Sequence, residues 1–353
     1  MIRSSQLIRT FSASVLCAAI LGTAAPAHAD EISDGQWFHS FLRTAEAHRI
    51  TEGAGVTVAV IDSGVDVTHP DLKGSVSPGA DLTPEGPGDG WTDETGHGTA
   101  MAGLIVARGR VKGMAPAAKV LPVRESKRGL GNTTEVVNAI TWATAQRVDV
   151  ISISLAMDFD DPTMRTAVAE ALKADIVVVA GAGNTPSQNV GFPAAIPGVV
   201  AVAGVGRDGQ HAKISVTGAA IVISAPSDEI TSTGLGHGWR KGTGTSDATA
   251  IVAGAVALIR ARYPDLSGPE VVHRLTATAV DKGPAGRDAQ YGFGVINVVG
   301  ALTADVPPLS SPTASTNAPR DPASDGPGPW TWVIGAVVVI GVLLLIVRSR
   351  RRG

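Results

Sequence analysis

Four side chains in this sequence are of the types that together perform acyl transfer: a carboxylate at Asp62, an imidazole at His97, an amide at Asn184 and a hydroxyl at Ser246. A serine hydroxyl becomes a nucleophile when a base takes its proton, and a histidine serves as that base when an acid fixes its tautomer. An amide can donate to the oxyanion that then forms. Each residue also has a plainer use. Ser246 suits a helix N-cap, Asp62 and Asn184 suit turns, and a lone histidine suits a structural role.

The settings narrow these choices. Ser246 follows Gly242-Thr243-Gly244-Thr245 and opens an apolar, alanine-rich run to about Tyr263, which predicts a helix starting at the serine. An anion forming there would meet unpaired N–H groups and the positive end of the helix dipole. Asp62 ends the β-branched run Val56–Ile61, where a carboxylate can orient an imidazole. His97 stands between Gly96 and Gly98, just ahead of the helical stretch Thr99–Ala107. Asn184 closes Gly181-Ala182-Gly183 after the run Ile176–Ala180. Two glycines followed by Thr185-Pro186 do not make a phosphate-binding loop.

Further apolar runs, Val120–Val123, Val148–Ile153 and Val199–Val205, alternate with helical stretches at Thr133–Ala145 and Pro162–Lys173. Strands buried on both faces read this way, and strands alternating with helices predict a parallel, doubly wound α/β sheet. Sites in such sheets form at the carboxyl ends of the strands.

The segments V-A-V-I-D-S-G-V around Asp62, H-G-T-A-M-A-G from His97, A-G-A-G-N to Asn184 and G-T-S-D-A-T-A-I-V-A-G around Ser246 resemble, in order, the signature segments of the subtilisin-like serine proteases. His69-Pro70-Asp71-Leu72, Gly113-Met114-Ala115-Pro116 and Tyr291-Gly292-Phe293-Gly294-Val295-Ile296-Asn297 resemble the family as well. The resemblance spans about residues 55–300. It implies a subtilisin-like three-layer α/β fold with a mostly parallel central sheet, and a serine endopeptidase. Ser246 would be the nucleophile, His97 the base, Asp62 the orienting acid, and Asn184 with the Ser246 N–H the oxyanion hole. Ser154, Leu155 and Ala156 would pair with the substrate backbone, and Gly181, Ala182 and Gly183 would line the adjoining pocket. Asp247 and Ala250 depart from the family pattern, which has an apolar residue and a proline there. Asp247 is expected to face away from the oxyanion.

The ends predict a location. Residues 1–29 carry Arg3 and Arg9, an apolar stretch and Ala27-His28-Ala29, the pattern of a secretory signal peptide. The only cysteine, Cys17, lies within it. Residues 304–329 read as a Pro/Ser-rich linker. Trp330–Val347 is uncharged and about 27 Å long as a helix, enough to span a bilayer, with a basic cytoplasmic tail at 348–353. Between signal and anchor lie an N-terminal extension, 30–54, too short for a folded inhibitory pro-domain, and the peptidase domain, 55–303. This arrangement resembles the mycosins, membrane-anchored subtilases of type VII secretion systems. It implies a cell-membrane protein with its catalytic domain outside, a protein or peptide substrate, and the secretion machinery as partner.

Six of the 29 basic residues fall in the signal and the tail, leaving 23 against 32 acidic ones, about −9, for residues 30–347. That balance argues against nucleic acid as a partner. The reaction needs no cofactor. Asp81, Glu85, Asp89, Asp93 and Glu94 could hold a structural calcium, although their spacing fits no calcium loop. The competing reading is a membrane-anchored stabilising subunit whose proteolysis is weak or dispensable.

Overall fold

Short runs that are apolar on both faces form strands only where helices cover both sides of the sheet, and that is the architecture of this protein. The computed structural model describes residues 31–84, 88–127 and 131–309. These belong to one unit, residues 1–307, apart from the first two residues of a second unit, 308–353. The expected signal peptide and membrane helix, the basic tail, most of the linker and Glu85 lie outside the described residues. Among the described residues, no helix is long and apolar enough to cross a membrane.

Seven strands, β1 (Thr57–Asp62), β2 (Ala80–Asp81), β3 (Lys119–Arg124), β4 (Val150–Ile153), β5 (Val177–Gly181), β6 (Val200–Val205) and β7 (Ile223–Pro226), form a sheet in the order β2-β3-β1-β4-β5-β6-β7. Every neighbouring pair is parallel. The order reverses at β1, because β2 and β3 are laid on one side of it, β3 next to it and β2 at the edge, and β4 is then set on the other side. Carboxyl ends at such a reversal are where α/β sheets bind ligands. Asp62 is the last residue of β1, Ser154 follows β4 directly, and Gly181 ends β5.

Alternation along the strands assigns the faces. Val58 and Val60 of β1 join the core beneath α4 (His97–Val106) and α7 (Thr245–Arg262). Ala59 and Ile61 join the opposite core, with α5 (Thr133–Ala145) and α6 (Pro162–Lys173). With a period of two, Asp62 falls on the face of α4 and α7, the helices that begin beside His97 and Ser246. Helix α7 is buried along nearly its whole length, as expected of a helix apolar on all sides.

The expected strands form with ends displaced by one or two residues, and α4 starts two residues before the expected Thr99. Strands β2 and β7 and the antiparallel pair β8 (Ile230–Thr233) and β9 (Trp239–Gly242) were not anticipated. β2 is two residues long, and β9 carries Arg240 and Lys241 with no apolar pattern.

The segment read as an extension is packed into the core. Helices α1 (Glu31–Gly35), α2 (Phe38–Phe41) and α3 (Thr44–His48), with Leu42 just after α2, bury Ile32, Phe38, Leu42 and Ala47 in the same cluster as α4 and α7. Gln36 exchanges two hydrogen bonds with the Lys112 backbone, at 2.9 and 3.0 Å, and the Trp37 indole donates to the Asp228 carbonyl at 2.9 Å. His48 bonds the Met114 carbonyl at 2.8 Å.

Candidate active site

At the carboxyl edge of the sheet, Nδ1 of His97 lies 2.8 Å from Oδ1 and 2.9 Å from Oδ2 of Asp62. Asp62 is 1% exposed and also accepts the Ser63 N–H at 2.8 Å. It is therefore no ordinary turn aspartate: its main task is to hold a ring 35 residues away. The negative charge of Asp62, before all else, raises the His97 pKa above its ordinary value, and the hydrogen bond to Asp62 and the charge of Asp247 act the same way. Burial and the charge of Arg240 oppose them.

Small residues let α4 come this close. A Cβ on Gly98 would stand 2.1 Å from the Gly64 carbonyl oxygen and 3.2 Å from Asp62. The Gly98 N–H donates to the Ser63 hydroxyl at 3.0 Å. Asp93 then caps the helix: one of its oxygens accepts from the Thr95 and Gly96 N–H groups, both at 2.9 Å, and the other from the Thr99 N–H and hydroxyl. A carboxylate at a helix N-terminus is favoured by the dipole and by the unpaired N–H groups. The role of Asp93 was not legible, since Asp93 sits outside the helix pattern.

Ser246 is not the helix cap. Gly244 occupies that position, and Ser246 lies in the first turn with its hydroxyl donating to the Ser154 carbonyl at 3.2 Å. The Ser154 hydroxyl returns a bond to the Ser246 carbonyl at 3.3 Å. Ser246 is thus docked on the strand edge expected to bind the substrate backbone.

Nor is Asn184 the left-handed residue of its turn; Gly183, at φ 114°, takes that conformation. Oδ1 of Asn184 accepts from the Thr245 N–H at 2.8 Å and the Thr245 hydroxyl at 3.1 Å. With its oxygen engaged twice, the amide presents its NH2 outward as a donor.

Ser154, Leu155, Ala156, Gly181, Ala182 and Gly183 line one cavity of 230 Å³, whose wall also includes Asn184 and Ser246. The structure brings all six together beside Ser246. Sequence reasoning missed five polar members of the lining: Asp158, Thr185, Gln188, Asn189 and Thr245.

Asp247 is turned toward β9, where its oxygens lie 3.0 Å from the Cβ position of Gly242. It is not remote from the chemistry, since its charge acts on His97. Asp247 is 6% exposed, and burial pushes its carboxyl up to about 7, against the charges of His97 and Arg240. A second buried acid, Glu125, follows β3 and donates its N–H to the Asp62 carbonyl at 2.9 Å. One of its oxygens accepts the Ser126 hydroxyl at 2.8 Å, and the other has no partner among the described residues. Burial first, then the charges of Asp62 and Glu135, push the Glu125 carboxyl up to about 7.

The described acids among those considered for calcium, Asp81, Asp89, Asp93 and Glu94, have other partners. Arg124 binds Asp81 at 3.0 Å and Glu94 at 2.8 Å, and Asp89 accepts the Trp91 N–H at 3.0 Å. Among the described residues, no three His, Cys, Asp or Glu side chains are grouped to hold a metal ion.

Comparison with known proteins agrees with this geometry. The sequence profile of the subtilase family matches residues 53–294. The thermostable alkaline protease of Halalkalibacterium halodurans is 38% identical over 266 residues, 74% of this chain and 72% of that protein. Subtilisin E of Bacillus subtilis is 38% identical over 257 residues, 70% of this chain and 66% of that protein. The crystal structure of MycP1 with the N-terminal propeptide removed superposes with a TM-score of 0.69 at 31% identity, covering 77% of this chain and 98% of the MycP1 chain.

Proposed function

Since the chain belongs to the subtilase family, a family of serine endopeptidases, we propose that it cleaves peptide bonds with Ser246 as nucleophile, His97 as base and Asp62 as the acid that orients it. Ser246 Oγ turns from the Ser154 carbonyl to His97 Nε2, gives up its proton there and attacks the peptide carbonyl. Asp62 keeps the proton of the other ring nitrogen in place and stabilises the imidazolium. The oxyanion is held by the Asn184 amide and the Ser246 N–H. His97 then protonates the leaving amine, and water admitted through the same base releases the acyl group. Every role is filled by side chains and backbone of this chain, with no metal required. The observation that carries this reading is the contact of His97 Nδ1 with both oxygens of Asp62, on the sheet face where α7 delivers Ser246.

The substrate backbone runs along Ser154–Ala156 as an added strand, with one side chain in the adjoining cavity. Following the resemblance to the mycosins and the likeness to MycP1, we place the protein at the cell membrane. The segment 1–29 directs export, Trp330–Val347 anchors the chain, the peptidase domain faces outward, and the partner is a type VII secretion machine. Incubating the purified protein and its Ser246→Ala variant with a library of internally quenched peptides tests the reading. Cleavage by the first alone supports it; equal turnover, or none in either, contradicts it.

Two observations favour a second reading, a stabilising subunit of the secretion complex: the Ser246 hydroxyl rests on Ser154, and Asp247 places a buried acid beside the nucleophile. Secretion that survives Ser246→Ala but fails on deletion of the protein would support this alternative.

A further inference from the structure

We propose that Asp158 makes the cavity beside Ser246 select a basic side chain, lysine or arginine, on the residue whose carbonyl is attacked; the proposal rests on the peptidase reading above. The cavity is shared by the nucleophile, the oxyanion amide and the substrate-pairing edge. The side chain that enters it therefore belongs to the residue carrying the scissile carbonyl. Glycine and alanine make up much of the wall, so a long, thin side chain can pass between Ser154–Ala156 and Gly181–Gly183. The volume of 230 Å³ accommodates a lysine or arginine stem.

Charge decides what the far end of that side chain should be. Among the described residues Asp158 is the one charged residue in the lining, and the amides of Gln188 and Asn189 add carbonyl acceptors suited to an ammonium or guanidinium group. Asp158 belongs to a run with two other acids, both of which have internal work. Arg165 donates to both oxygens of Asp160, at 2.5 and 2.6 Å. Asp161 caps α6, accepting the Thr163 N–H at 2.7 Å and the Met164 N–H at 3.3 Å. Among the described residues Asp158 has no such partner, and the residue is exposed. A substrate cation meets an uncommitted counter-charge there, in a site that loses water as the peptide docks, and a charge-assisted hydrogen bond is stronger than a neutral one.

The test uses the full-length purified protein and peptides that differ only in the residue before the cut: Lys, Arg, Leu, Phe or Glu. The expected result is a kcat/KM for Lys and Arg about 10- to 100-fold above Leu, the discrimination of a partly exposed charge pair. Asp158→Asn should reduce the Lys-to-Leu ratio by the same factor, and Asp158→Lys should turn the preference toward Glu. A wild type that favours Leu or Phe, or a ratio unchanged in Asp158→Asn, overturns the proposal. Labelling of Ser246 by a fluorophosphonate, which needs no basic side chain, separates the two failures. If the wild type is labelled, a failure falls on Asp158 alone; if it is not labelled, the peptidase reading fails and this proposal with it.

Discussion

The side-chain oxygen of Asn184 lies 2.8 Å from the Thr245 backbone nitrogen, so the residue just before Ser246 fixes which end of the amide can donate. Thr245 adds its hydroxyl, 3.1 Å from the same oxygen. Asn184→Ala should lower kcat by about 10²–10³ with little change in KM, a magnitude measured for a subtilisin, which is a relative of this chain. Thr245→Val keeps the N–H contact and should cost less. Steady-state kinetics on one peptide substrate check both, and an Asn184→Ala enzyme within threefold of wild type contradicts the assignment.

Asp247 should shift the pH profile. The base works as neutral imidazole, and the Asp247 anion is one of the groups that raise the His97 pKa. Removing that charge with Asp247→Asn lowers the His97 pKa and should move the acid limb of kcat/KM to lower pH. Arg240 acts with the opposite sign, so Arg240→Met should move the limb upward. Because Asp247 itself titrates at about 7, the wild-type limb should be broader than that of a single group. A limb unmoved in Asp247→Asn would contradict the coupling.

Glu125 makes stability depend on pH. Its folded pKa, about 7, lies above the unfolded value near 4.3, so between those limits the folded state binds the extra proton. Its contribution to stability is therefore greatest below pH 4.3, declines as pH rises to about 7 and is level above. Glu125→Gln removes this slope. Thermal melts from pH 5 to 8 should show the variant gaining on the wild type as pH rises, and a constant difference would rule the account out.

The N-terminal helices are structural. Phe38 is fully buried in the core that supports α4 and α7, so Phe38→Ala should cost about 3–5 kcal/mol. The loss should appear in urea unfolding. A cost below about 1 kcal/mol would mean that residues 31–48 are an appendage.

How much of this was legible follows from what sequence patterns encode. The β-branched runs announced β1, β3, β4, β5 and β6 because burial on both faces leaves a continuous apolar signature, and the glycines on either side of His97 singled it out among the histidines. What stayed hidden depends on contacts between distant residues. The packing of Phe38 and Trp37 into the core has no periodic signal in so short a helix. Asp93 as the cap of α4, Arg124 between Asp81 and Glu94, and the orphaned oxygen of Glu125 all arise only when loops meet. Ser246 looked like a helix cap because serine suits that position; Gly244 took it, which left the hydroxyl free to reach Ser154.

The central claim is that Ser246 is an activated nucleophile, and labelling with a fluorophosphonate measures this without assuming a substrate. The purified protein should be labelled on Ser246, and Ser246→Ala should not be. His97→Ala should suppress labelling strongly, and Asp62→Asn should slow it, because the ring then loses the acid that fixes its tautomer. A folded wild-type protein that resists the probe, or one labelled equally after His97→Ala, would contradict the account.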